Sequence, residues 1–244
     1  MAISSWLLAL GFWLFRFRHS IRYREVHELG RAAGPIKAKG QELRANSRFM
    51  RLFIALDIDD AIRERIARFM DVVGGFAPDV RWVKPESLHV TLRFIGEQPE
   101  PAIEQLKAVL ATVKADRMEI RFHGYGFFPS AKSARVFWVG IEAGPELASL
   151  AAIIDEKTST LGIPKQDRAF SAHLTLARGS GGSGSPRWRK GDGPNRSFQR
   201  IQEKLDPLSP PEFGTMTARE FFLYQSQLSP KGSAYTKLAK FALT

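Results

Sequence analysis

The sequence predicts an α+β fold laid out as two halves of similar plan. Three observations point there. One short phrase is written twice, His89-Val90-Thr91-Leu92 and, 84 positions later, His173-Leu174-Thr175-Leu176. Each copy lies in an apolar, strand-prone run, at 88–95 and 169–177. Each run is accompanied by segments with helical apolar spacing, yet strands and helices do not alternate as a parallel βαβ sheet requires.

Taken in order, residues 50–57 read as a central strand. Asp59 or Asp60 caps a helix to about residue 73, with Ile62, Ile66 and Phe69 or Met70 along its buried stripe, and Gly74, Gly75 and Pro78 end it. Residues 80–83 and 88–95 are strands, the second carrying the first motif. Residues 99–113 read as a helix with Ile103, Leu106 and Leu110 facing in, and 118–122 as a strand. The second half repeats the plan: strand 134–141, helix 145–161, strand 169–177 with the second motif, then a helix at 198–205. Residues 217–228 and 234–242 read as the last two strands. Outside the motifs the two halves do not align.

Side chains at i and i+2 of a strand share a face, so each copy presents its His and Thr together. Two such strands side by side bring two imidazoles and two hydroxyls to one place. With an ordinary pKa of about 6.5, one imidazole can take a proton from water while the other gives one to a leaving oxygen. A Thr hydroxyl is a small neutral donor, suited to a phosphoryl oxygen on which charge grows. The reaction class this fits is cleavage of a phosphoester, most economically a strained cyclic one. A single His-x-Thr-Leu is usually only the wet face of a half-buried strand. What lifts the pair above that reading is that two of only five histidines sit in matching settings. A zinc site is the rival use of paired histidines and wants three or four ligands. The chain has no cysteine, and neither motif carries a further ligand at a metal spacing. We therefore expect no metal at the pair.

The segments RLFIALD at 51–57, RWV at 81–83, LHVTLRFIG at 88–96, RVFWVG at 135–140, FSAHLTLAR at 170–178 and FLYQS at 222–226 point to a family by their order. Over about residues 50–244 the chain resembles the bacterial RNA 2′,3′-cyclic phosphodiesterases, historically called 2′–5′ RNA ligases, of the two-histidine (2H) phosphoesterase superfamily. The resemblance implies a bilobal fold, with two pseudo-symmetric lobes that each contribute an antiparallel sheet with flanking helices, and an active cleft between them. It implies hydrolysis of a terminal 2′,3′-cyclic phosphate of RNA to a 2′-phosphate, without metal or nucleotide cofactor. In those terms His89 is the general acid for the 3′ leaving oxygen and His173 the base that activates water. Thr91 and Thr175 hold the non-bridging oxygens, and Arg178, five residues after the second His, is a substrate contact. The same histidines would serve 2′–5′ ligation or cleavage of 2′,5′-oligonucleotides. A rival of another class is a non-catalytic binder of RNA ends.

In a straight strand position i+5 faces away from i, so Arg178 reaches the cleft only if the strand ends or bends near Ala177. Arg93, at i+4 from His89, faces the cleft by simple alternation and is expected to be an auxiliary phosphate or RNA contact. The glycine- and serine-rich run from Gly179 leads to Arg187, Trp188, Arg189 and Lys190, an indole among cations able to stack a base and meet phosphate. His123 reads as a loop or strand-end residue outside the site, and Phe170 as core.

The chain has 244 residues, 44% apolar and 25% charged, which is ordinary globular composition. Its net charge is +11. Residues 1–49 hold nine Lys/Arg against three Asp/Glu, so most of the excess lies in the N-terminal tail. The mildly basic remainder suits a polyanion bound at its end rather than a protein that coats nucleic acid. The tail opens with an apolar run 13 residues long, 3–15, and four of its arginines, Arg16, Arg18, Arg22 and Arg24, follow at once. It is too short for a span, and its charges are on the wrong side for a secretory signal. We read 1–49 as an extension produced by translation upstream of a native start at Met50, ahead of a disordered arm or a membrane-touching segment. Residues 50–244 are then the functional domain, expected to be a cytoplasmic monomer with no membrane contact.

Overall fold

The computed structural model describes residues 48–179, 196–229 and 232–244. The expectations for the tail up to residue 47, and for Arg187 to Lys190 with Trp188, fall outside the described residues. Among the described residues nine strands and four helices follow in order: β1 (Phe49–Asp57), α1 (Asp60–Gly74), β2 (Arg81–Trp82), β3 (His89–Pro99), α2 (Ala102–Leu110), β4 (Met118–Phe128), β5 (Val136–Ala143), α3 (Pro145–Ser159), β6 (His173–Arg178), α4 (Arg196–Leu205), β7 (Glu212–Ala218), β8 (Glu220–Ser229) and β9 (Gly232–Ala242). They form two antiparallel sheets, one in the order β3-β1-β8-β9 and the other β2-β6-β5-β4-β7. This is the expected α+β architecture, with one motif strand in each sheet. No helix among the described residues is long and apolar enough to cross a membrane.

β1 is apolar almost throughout because both of its faces are covered. Leu52, Ile54 and Leu56 enter the main core, while Phe53 and Ala55 join Phe222 and Tyr224 in a second, smaller cluster against which Tyr235 packs. α1 buries Ile62, Ile66, Met70 and Val73, the stripe its spacing predicts. Asp59 occupies the cap position but makes no side-chain capping bond, so the acidic first turn at Asp60 favours the helix through its dipole. One continuous core draws on both sheets, from Leu52 and Leu92 to Phe137 and Leu174.

Three differences from the sequence reading have physical causes. The lobes are not the two halves of the chain: β2 leaves the first half to flank β6, and β8 and β9 return to complete the sheet of β1 and β3. The segment read as one strand over 217–228 is the end of β7 and most of β8, which lie in different sheets, the chain crossing at Arg219. β4 runs through His123 to Phe128 because Gly124 takes up a bulge at φ 63°, a left-handed conformation that glycine adopts without steric cost.

Candidate active site

Each motif opens its strand, and the two are built alike. His89 begins β3 and its Nδ1 donates to the carbonyl of Ser87, 2.7 Å away. His173 begins β6 and its Nδ1 donates to the carbonyl of Ser171 at 2.8 Å. A carbonyl oxygen only accepts, so in both rings the proton of the neutral form sits on Nδ1 and the lone pair on Nε2. Both copies read Ser-x-His-x-Thr, but the acceptor is a backbone carbonyl that any residue would offer, so the contact belongs to the backbone before each strand.

Alternation holds from His to Thr. His89 and Thr91 are half-buried while Val90 and Leu92 are buried, and His173 with Thr175 repeats this against Leu174 and Leu176. Neither Thr hydroxyl has a hydrogen-bond partner among the described residues, so both are available as donors.

Alternation then breaks, identically, in both strands. The β1–β3 register slips where Ile54 faces Arg93 and Ala55 faces Thr91. The β5–β6 register slips where Phe137 faces Ala177 and Trp138 faces Thr175. One extra residue in a strand inverts the facing of everything after it. In β6 the inversion carries Arg178 to the side of His173 and Thr175, meeting the condition under which an i+5 residue reaches the cleft. In β3 it has the opposite consequence for Arg93, which turns into the core and is only 1% exposed. There it pairs with Asp155 on α3 and donates from Nη2 to the carbonyl of Pro164 at 2.7 Å. Arg93 is therefore a structural tie between β3 and the segment that leads to β6, and the expectation of a phosphate contact is withdrawn.

Aromatic rings hold both imidazoles. His89 lies 4.8 Å from Phe53 and edge-on to Tyr235 at 5.1 Å, and Phe53 stacks on Tyr224 at 5.0 Å. His173 meets Phe128 edge-on at 4.9 Å, and Phe128 packs on Trp138 at 5.0 Å. The Trp138 ring lies over Gly126, where a Cβ would collide with the indole. These aromatic residues carry no local signal of membership in a site. They join it only through strand register, Phe53 opposite Tyr224 and Trp138 opposite Thr175.

The turn before His89 is also fixed. Arg63 on α1 donates from Nη1 to the carbonyls of Pro85 (2.7 Å) and Leu88 (3.2 Å), and from Nη2 to Asp57 and the carbonyl of Ile58. Asp57 faces His89 across the β1–β3 ladder and pairs with Lys237.

Burial lowers the pKa of His89 to about 4, with Arg178 and His173 pushing the same way and the Ser87 carbonyl and Asp57 opposing. Burial also lowers His173, again helped by Arg178 and opposed by the Ser171 carbonyl. Both rings are thus neutral near pH 7 in the open cleft, and each senses Arg178. His123 lies elsewhere, beside Glu142, and Phe170 packs against the core as expected. No group of three or more metal-ligating side chains occurs among the described residues.

Paired imidazoles of matched tautomer, with two hydroxyls and an arginine, on a two-sheet α+β frame make up a candidate phosphoesterase site. The sequence pattern of the LigT-like phosphoesterases matches residues 56–138. An RNA 2′,3′-cyclic phosphodiesterase of Archaeoglobus fulgidus is 36% identical over 192 residues, covering 79% of this chain and 99% of that protein. One of Thermus thermophilus is 33% identical over 204 residues, covering 80% and 90%. Among solved structures, E. coli LigT complexed with 3′-AMP superposes with a TM-score of 0.63 at 25% identity, over 81% of this chain and 99% of that one. TT0787 of Thermus thermophilus superposes at 0.62 and 30% identity, over 80% and 98%. The chain belongs to the LigT-like phosphoesterase family of the two-histidine superfamily.

Proposed function

We propose that this chain hydrolyses the 2′,3′-cyclic phosphate at the end of an RNA to a 2′-phosphate, by acid–base catalysis between His89 and His173 without a metal ion. The observation that carries the reading is the matched presentation of the two rings, each with Nδ1 tied to a backbone carbonyl and Nε2 left for chemistry. The names of the relatives supply the substrate class.

In this reading the cyclic phosphate sits between the two motif strands, with Thr91 and Thr175 donating to its non-bridging oxygens and Arg178 offsetting its charge. His173 Nε2 takes a proton from water as the water oxygen bonds to phosphorus. The bond from phosphorus to the 3′-oxygen breaks, and His89 Nε2 protonates that oxygen. The products are a 2′-phosphate and a free 3′-hydroxyl, and solvent resets the two protons. His89 is neutral in the open cleft, so it acquires its proton as the anionic phosphate docks. Asp57 acts on His89 and favours that proton on it. Residues 50–244 form the functional unit, since every residue invoked lies within it.

The test incubates the full chain and EDTA with a short RNA bearing a 2′,3′-cyclic end, and reads the product by phosphorus NMR. A 2′-phosphate that forms despite chelator, and is lost in His89→Ala and His173→Ala, is the expected result. Loss of activity on chelation, or retention in either variant, would overturn the mechanism.

A further inference from the structure

The face that carries the motifs also gathers three arginines that take part in no ion pair among the described residues. Arg51 lies on β1 two residues before Phe53, on the side Phe53 shares with His89. Arg81 on β2 stands directly opposite Arg178 on β6. Its neighbour Trp82 turns inward, packing on Phe137 and donating to the carbonyl of Ala77, which leaves Arg81 on the cleft side. Arg178 arrives there through the bulge in β6. All three are exposed and come from both sheets. Elsewhere Arg63, Arg93, Arg121 and Arg200 each find a carboxylate. Glu97 faces Arg51 in the β1–β3 register yet makes no ion pair with it.

Like charges directly across a ladder repel. Burial first holds the Arg178 guanidinium below its ordinary range; Tyr235 opposes this, and repulsion from Arg51 and then Arg81 adds to it. Such a cluster weakens the bare protein and is relieved by an anion, and the planar guanidinium fork matches phosphate geometry. Arg178 is the member nearest the motif pair in sequence. Arg51 and Arg81 extend the positive charge beyond what one cyclic phosphate needs.

We propose that Arg51, Arg81 and Arg178 form a second phosphate site beside the histidine pair, which takes the phosphate on the 5′ side of the terminal nucleotide and selects the end of a chain over a free cyclic nucleoside. The proposal rests on the cyclic-phosphate reading above. Arg178 bridges the two phosphates, and Arg51 with Arg81 completes the outer one.

The test compares kcat/KM of the full chain for adenosine 2′,3′-cyclic phosphate carrying a 5′-hydroxyl with that for the same compound carrying a 5′-phosphate, at fixed ionic strength. The 5′-phosphate is expected to raise kcat/KM at least about tenfold, mainly through KM, as one charge-assisted contact does. In Arg51→Gln and Arg81→Gln the ratio between the two substrates is expected to fall towards one. Both side chains are exposed, and an unchanged melting temperature checks that the variants fold. Equal rates in the parent protein, or a ratio that survives both substitutions, would overturn the proposal. If neither compound is hydrolysed, the activity reading fails and the site is judged by equilibrium binding. Adenosine 2′,5′-bisphosphate must then bind at least about tenfold tighter than adenosine 2′-phosphate, and only when Arg51 and Arg81 are present.

Discussion

Replacing His89 by Asn removes a titrating ring and keeps a side-chain N–H for the Ser87 carbonyl. The ring has a pKa of about 4 in the folded protein against 6.5 unfolded. The unfolded chain therefore binds more protons than the folded one between those values, and stability falls as pH drops below 6.5 and levels off below 4. Integrating that difference gives a cost of about 2 kcal/mol at pH 5 and almost none at pH 7. The ring is half-buried rather than sealed, so water screens part of the effect and about 2 kcal/mol is a ceiling. For a chain of this size that corresponds to roughly 4–8 °C in melting temperature. The assay is calorimetric melting of the parent and His89→Asn at pH 7 and pH 5. The parent should lose stability relative to the variant on acidification, whatever their offset at neutral pH. A parent-minus-variant difference that is the same at both pH values would refute the burial argument, and with it the claim that His89 is neutral in the open cleft.

Three further outcomes follow from the geometry. With a nitrophenolate leaving group in place of the 3′-oxygen no proton need be delivered, so His89→Ala should recover at least about 100-fold of its loss while His173→Ala should not; the reverse pattern would exchange their roles. Arg93→Met should cost about 3 kcal/mol in chemical denaturation, the low end for a broken buried pair because Asp155 stays partly solvated. The same variant should leave the salt dependence of KM for RNA unchanged, and a raised KM without lost stability would return Arg93 to the RNA surface. A chain beginning at Met50 should match the full chain in kcat/KM on an RNA cyclic end, and a large loss would show that residues before Met50 take part.

Much of the fold was legible locally because its signals are local. The stripe of Ile62, Ile66 and Met70 needs only helical spacing, and the run through Leu52, Ile54 and Leu56 needs only a strand covered on both faces. The pairing of chemical groups was legible for a different reason: a rare residue type recurs in a repeated frame, and the period of two puts His and Thr on one side. The sheet change at Arg219 was not legible, since β7 and β8 are both strand-prone and no residue between them announces which partner each will take.

By itself, then, the sequence determined the residue types of the candidate site, His89, Thr91, His173 and Thr175, and their common facing within each strand. Only the tertiary structure decided which arginine joins them. Arg93 and Arg178 both follow a motif, and simple alternation chooses the first. A bulge after each Thr sends Arg93 inward to Asp155 and turns Arg178 towards the imidazoles. The physical reason is that facing depends on counting residues against a partner strand. A two-against-one mismatch belongs to the pair of strands and is written in neither sequence alone.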